Sequence, residues 1–259
     1  MSLWHAAVLG ILQATGEFLP ISSSGHLVLM PWLLGWTYQG KIYDVALHLG
    51  TLIAVCAYFW KDWLGLLRAG CSRTPSPEHS MFWRIILATI PGGLAGLLLD
   101  KHVEAWFHEP WLIASNLMAF GVVLWWSDHN GRKTEEAKDL SLRSCLLIGL
   151  AQALAIIPGV SRSGITLTAG LGLGLKREAA ARFSFLLSVP IVVAAGLMKL
   201  RHVGPEARSA PFWVGVVMSA VLGWLCIRFL LNYLKENGTG LFVAYRVLFG
   251  LFCLAWAFI

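Results

Sequence analysis

Arg162 stands in GVSRSG, residues 159–164, between two serines and two glycines. The chain around it is strongly apolar, IGLAQALAIIP before and ITLTAGLGLG after. A guanidinium in such surroundings is costly unless an anion meets it. The hydroxyls of Ser161, Ser163 and Thr166 and the backbone amides near Gly159 and Gly164 can donate to that same anion. Arginine's planar fork matches phosphate oxygens, and glycine lets the backbone close in. A helix starting after Gly164 would aim its positive end at the same place. A phosphorylated ligand is the expected partner. The alternative is a carboxylate, with Glu17 as candidate, that ties two segments of the chain together.

A second set lies near the start of the sequence. Gln13 and Glu17 are four apart and so share a helix face, and Ser22, Ser23, Ser24 and His26 follow closely. Carboxylate, hydroxyl and imidazole beside an arginine form a hydrolytic set. The hydroxyl can attack, the carboxylate or imidazole can move the proton, and the guanidinium can steady developing charge. Asp44 and His48, also four apart, are either supporting partners or ordinary interfacial residues. GVSRS is not G-x-S-x-G, and SRSGIT lacks GK[ST], so neither a nucleophile elbow nor a nucleotide P-loop is expected. Arg228 and Arg246 lie near span ends and are expected to snorkel, without function.

What must position these residues is a membrane-embedded scaffold. Of 259 residues, 57% are hydrophobic and 13% charged, a balance that excludes an ordinary soluble domain. Spans of near-membrane length are read at 43–60, 82–99, 111–127, 180–200, 211–234 and 241–259. Trp60, Trp63, Trp106, Trp111, Trp125 and Trp126 gather at their ends, as interfacial belts do. MSLWHAAVLGILQ has neither a basic n-region nor a small-residue cleavage site and reads as mature chain. The five cysteines show no CxxC and read as buried apolar filler. A net charge of +6 fits basic loops against anionic lipid, and nothing points to nucleic acid.

The chain also repeats itself. GILQATGEFLPISSSG (10–25) aligns with GLAQALAIIPGVSRSG (149–164), matching Gly10 with Gly149, Gln13 with Gln152, Ser22 with Ser161, Ser24 with Ser163 and Gly25 with Gly164. Residues 4–19 and 143–157 are too short to cross a bilayer and run into Pro20 and Pro158. A second short apolar piece follows each, at 27–36 and 165–175. Such pairs are expected to be re-entrant hairpins with polar tips buried in protein. Basic segments 61–84 and 128–143 share the cytoplasmic side by the positive-inside rule, and 100–109 reads as an outer loop. Lys199, Arg201 and Arg208 fit that rule poorly. Three spans separate the hairpins, so the second is expected inverted relative to the first. The expected fold is an all-α integral membrane protein with an inverted-topology repeat. Residues 1–127 form the first half (hairpin 4–36), 128–142 a cytoplasmic connector and 143–259 the second half (hairpin 143–175).

QATGEFLPISSSGH and PGVSRSGIT resemble the two signature motifs of the bacterial undecaprenyl-diphosphatase family, the bacitracin-resistance type of lipid pyrophosphatase. DVALHLGTLIAV is similar to that family's next segment, and the likeness covers essentially the whole chain. The resemblance implies removal of the terminal phosphate from undecaprenyl diphosphate, recycling the lipid carrier for cell-wall synthesis, with a divalent cation (Mg or Ca). It implies a bacterial inner-membrane location and a site open to the extracytoplasmic side. By the match, Glu17 falls on the second acid of the acidic motif, Ser23 and His26 on the functional Ser and His, and Arg162 on the phosphate-binding Arg. Ser161 and Thr166 complete the phosphate pocket, and Glu17 is the candidate metal ligand. Gln13 stands where many relatives carry Glu, which puts a two-carboxylate metal site in doubt. The nucleophile stays open between Ser23, His26 and a metal-bound water. A secondary transporter or lipid flippase is the rival reading, and no sequence feature selects a homodimer over a monomer.

Overall fold

Two prolines cut two helices short, and the turns just beyond them carry the site. The structure, a computed structural model, describes residues 1–107, 109–200, 207 and 209–257. Helix α1 (Leu3–Phe18) starts on the Ser2 cap and stops with Leu19 extended, immediately before Pro20. Helix α7 (Leu142–Ala153) tightens into a 3₁₀ turn, Leu154–Ile156, and Ile157 is extended ahead of Pro158. After each break the chain re-enters a helix at once: α2 (Ser23–Leu34) and α8 (Arg162–Gly172).

The remaining helices are α3 (Lys41–Tyr58), α4 (Trp60–Gly70), α5 (Pro77–Trp106), α6 (Pro110–Asn130), α9 (Arg177–Leu200), α10 (Ala210–Glu236) and α11 (Gly240–Trp256). No strand occurs among the described residues; one isolated bridge joins Glu135 to Leu175. Segments Pro77–Leu99, Pro110–Asn130, Arg177–Met198 and Ala210–Glu236 are long and apolar enough to cross a membrane. Helices α3 and α4 make a fifth candidate, bent by 80° at their junction. This is an all-helical, multi-pass membrane protein.

Several sequence expectations change in detail. The start of the basic segment 61–84 is helical: α4 puts Leu66 and Gly70 inward and Lys61 and Arg68 outward. Most of the expected outer loop 100–109 continues α5, which runs to Trp106, about 45 Å of helix. Cys71 is exposed, unlike Cys145 and Cys253. Arg201, Arg208, the side chain of Lys199 and the last two residues of the expected span 241–259 lie outside the described residues.

Helix packing is reciprocal. α1 lies along α10, α7 along α5, α6 against α11, and α3 against α9 and α10. The aligned glycines Gly10 and Gly149 make the two close crossings. A Cβ on Gly10 would stand 2.7 Å from the Gly215 carbonyl oxygen, and one on Gly149 would collide with the Ala88 carbonyl. The ends of each short-helix pair come together. His5 and Trp36 rings meet at 4.1 Å at the base of α1–α2. At the base of α7–α8, the amides of Thr134 and Glu135 both donate to Gly174 O. That connector is also fixed to α5, through Arg84 Nη1 donating to Leu140 O at 2.7 Å.

Candidate active site

The two aligned segments share a backbone signature. Among the described residues, three that are not glycine have positive φ, and two of them are the aligned serines, Ser22 (φ 77°) and Ser161 (φ 75°). Each caps the next helix: Ser22 Oγ accepts from Gly25 N at 3.3 Å, Ser161 Oγ from Gly164 N at 3.1 Å. Each also pairs with a hydroxyl two residues on, Ser24 at 3.4 Å and Ser163 at 3.3 Å. A left-handed serine costs about 1–2 kcal/mol, so the same strain at both aligned positions marks a shared requirement. What it delivers is two helix N-termini, those of α2 and α8, at two buried turns.

The sequence places Ser23 and Arg162 in loops, but both sit at the first position of a helix. Glu17, at the end of α1, joins them. Its Oε1 accepts from Arg162 Nη2 at 2.7 Å and its Oε2 from Ser23 Oγ at 2.8 Å. Gln13 Nε2 adds a longer bond to Oε2 at 3.3 Å, from the same face of α1. All four are buried or nearly so, with the Arg162 side chain 13% exposed. Arg162 Nη1 donates to Ser184 O of α9 at 3.1 Å. Ser163 Oγ donates to Leu19 O at 3.2 Å, a second bond across the two turns. The ion pair that the alternative reading required is thus present, and it is made by the fork expected to hold phosphate.

The histidines are arranged differently from expectation. His26 faces away from Glu17. Its Nδ1 lies 2.8 Å from Ser22 O, its Nε2 2.6 Å from the Tyr245 hydroxyl, and its ring stacks on Phe249 at 4.7 Å. The imidazole beside Glu17 is His48, with Nε2 3.4 Å from Oε2 and Nδ1 2.7 Å from the Asp44 backbone oxygen. Asp44 itself accepts from Tyr38 Oη. Thr166 is turned to α9, with Oγ1 2.6 Å from Ser184 Oγ. Gln152, the counterpart of Gln13, is buried near Gly92 with neither amide atom bonded.

Sequence reasoning missed Arg246. It does not snorkel: the side chain is fully buried, the largest such among the described residues. Nε donates to Leu117 O at 2.8 Å, Nη1 to Pro20 O at 3.2 Å, and Nη2 to Gly159 O and Val160 O at 3.0 Å each. Both turns are therefore held by one guanidinium from α11. Gly159 (φ 92°) fits because a Cβ there would stand 2.5 Å from Ile113 O. Asn116 Nδ2 donates to Pro158 O at 3.1 Å and braces the same turn. Arg228, by contrast, is exposed over the Trp224 ring, as expected of a snorkelling side chain.

For a divalent cation, the donor set is small. Among the described residues no three His, Cys, Asp or Glu side chains converge. Glu17 supplies one carboxylate, and Gln13 Oε1 beside it is buried without a hydrogen-bond partner. One carboxylate and one unpaired amide oxygen fit a hard cation that draws its other ligands from substrate oxygens and water.

An all-helical membrane protein in which two matching turns join an acid–hydroxyl pair to an arginine is the class that fold and site define. The chain belongs to the family described as Bacitracin resistance protein BacA, whose model matches residues 6–252. It is 52% identical over 251 residues to a protein of Pelotomaculum thermopropionicum named undecaprenyl-diphosphatase, covering 97% of this chain and 95% of that one. Proteins of the same name from Moorella thermoacetica and Elusimicrobium minutum are 50% and 46% identical. They cover 96% of this chain each, and 95% and 96% of their own lengths.

Proposed function

We propose that this protein is a membrane phosphatase that hydrolyses undecaprenyl diphosphate to undecaprenyl phosphate and inorganic phosphate. It thereby returns the lipid carrier to cell-wall synthesis and, when abundant, confers bacitracin resistance. The observation that carries the reading is the Ser23–Glu17–Arg162 chain, with bonds of 2.8 and 2.7 Å. Near-complete coverage of relatives of that name supports the substrate.

In this reading the distal phosphate sits at the N-termini of α2 and α8, beside the remaining N–H groups of Arg162. Ser23 Oγ attacks the distal phosphorus as Glu17 takes its proton, and the bridging P–O bond breaks to release the lipid monophosphate. Water then cleaves the phosphoserine. Glu17 is the base rather than His26, because the Ser23 hydroxyl already points at its carboxylate. Glu17 and Gln13 would hold the divalent cation, Mg or Ca, which supplies charge neutralisation for the diphosphate. Ser22 and Ser161 shape the turns. Ser24, Ser163, Gly164 and Gly159 line them, while Thr166 acts through Ser184.

The two hairpins are re-entrant and inverted in this reading. The contact between His5 and Trp36 closes the first on the side of α10's start, where Met1, Gly40, Ser209 and Pro211 also gather. The connector closes the second on the side of α5's start. Residues 1–127 and 143–259 are then two inverted halves joined by 128–142. The site belongs to the inner membrane and opens outward, the polyprenyl tail lying in lipid; a homodimer is compatible with this arrangement. A transporter needs no phosphoryl chemistry, so one assay separates the two. Purified protein in detergent, without a gradient, should release phosphate from a polyprenyl diphosphate with Mg or Ca and stop with chelator. A wild-type protein silent with either cation would overturn the phosphatase, and undiminished release in chelator would remove the cation.

A further inference from the structure

Arg246 carries a second requirement of the site. Its guanidinium spends all its hydrogen bonds on four backbone carbonyls, those of Leu117, Pro20, Gly159 and Val160. No carboxylate lies within ion-pair distance of it among the described residues. Glu17 is matched by Arg162. A fully buried positive charge is therefore balanced by carbonyl dipoles alone, in a place where burial penalises an unmatched ion heavily. Carbonyl partners also have a geometric effect. A peptide plane whose oxygen is held toward Arg246 turns its N–H the other way. The planes so held, at Gly159 and Val160 just before Ser161 and at Pro20 one residue further from Ser22, lead into the two capping serines. A Cβ on Gly164 would lie 2.8 Å from Arg246 Nη1, so the guanidinium reaches the first turn of α8 itself.

We infer that Arg246 is the positioning residue that clamps both turns, so that the amide ends of α2 and α8 converge on one spot, and that its unmatched charge draws a diphosphate there. The inference rests on the phosphatase reading for its substrate, but the clamp and the charge are tested separately. Lysine keeps the charge and cannot fork to four carbonyls from three segments; methionine keeps the length and loses both. The probe for binding is inorganic pyrophosphate, followed by its stabilisation of the purified protein against thermal unfolding. The reporter for alignment is phosphate release from a polyprenyl diphosphate, resolved into kcat and KM.

R246K should keep pyrophosphate affinity and KM within about threefold while kcat falls about thirtyfold or more, since small misplacement of reacting groups has effects of that order. R246M should in addition weaken pyrophosphate about tenfold or more. A kcat in R246K within threefold of wild type, per folded molecule, overturns the clamp, even if the variant melts earlier. Equal pyrophosphate affinity in wild type and R246M overturns the charge. Should R246M not fold, loss of pyrophosphate affinity in R246K, which keeps the charge, overturns that part instead, and its retention supports it. If wild type binds pyrophosphate but releases no phosphate from lipid, the phosphatase reading fails, and the binding comparison still decides the role of Arg246.

Discussion

Replacing Arg162 separates a phosphate-binding arginine from a mere tie between turns. Its fork makes two bonds, to Glu17 Oε1 at 2.7 Å and to Ser184 O at 3.1 Å. Arg162→Lys has one nitrogen and loses about one charge-assisted bond, about 1.5–3 kcal/mol. At about 1.4 kcal/mol per decade, kcat/KM should fall roughly ten- to hundredfold. Arg162→Met strands the Glu17 carboxylate, 7% exposed, in a buried setting. Removing one partner of such a pair destabilises by about 3–5 kcal/mol. Adding Glu17→Gln removes the stranded charge, so the double variant should recover most of that stability and stay inactive. The assays are phosphate release from a polyprenyl diphosphate and thermal unfolding in the same detergent. Activity in the double variant above that of Arg162→Met would refute the reasoning and leave the pair as a tie. So would Arg162→Lys turning over within threefold of wild type.

Ser23→Ala removes the hydroxyl on Glu17 Oε2; it should abolish turnover and any phosphoserine trapped by rapid acid quench, and near-normal turnover would end the serine route. Gly159→Ala puts a methyl at φ 92° against Ile113 O. The strain of about 1–2 kcal/mol is only the lower bound of its effect, so a markedly lower unfolding temperature is expected, and an unchanged one would contradict the packing. His26→Phe preserves the stack on Phe249 but drops the bonds to Ser22 O and Tyr245. Phosphate release should fall by about tenfold or more with the fold intact; a rate equal to wild type would show that the turn does not depend on that bond.

Legibility in the sequence tracked the range of the interactions. Pro20 and Pro158 end their helices locally, and the caps at Ser22 and Ser161 arise from S-x-S-G, so the paired turns could be read directly. Gln13 and Glu17 share a face through simple helical spacing, and the structure keeps them in contact. Arg246 could not be read this way. It lies well inside the apolar helix α11, and its four acceptors are backbone oxygens, which leave no trace in residue type. One signal was available: no acid lies within a helical turn after it. Asp100 and Lys101 made the end of α5 look like a loop, because local polarity does not report how far a helix extends past the lipid. The exchange of places between His26 and His48 depends on the rotation of α2 and α3, which spacing alone does not set.

The close crossing of Gly10 with Gly215 and of Gly149 with Ala88 has a bearing on biogenesis. The amino-terminal hairpin leaves the ribosome first, yet the groove that receives it is furnished by α10, far down the chain. Until residue 162 is made, Glu17 has Gln13, Ser23 and His48 beside it but no arginine to pair with, and until α10 follows, α1 lacks its main packing surface. Helix α1 thus reaches its resting place only once α10 has been made. Separately expressed halves, 1–130 and 131–259, each lack the surface that their own hairpin occupies, and should accumulate only when co-produced.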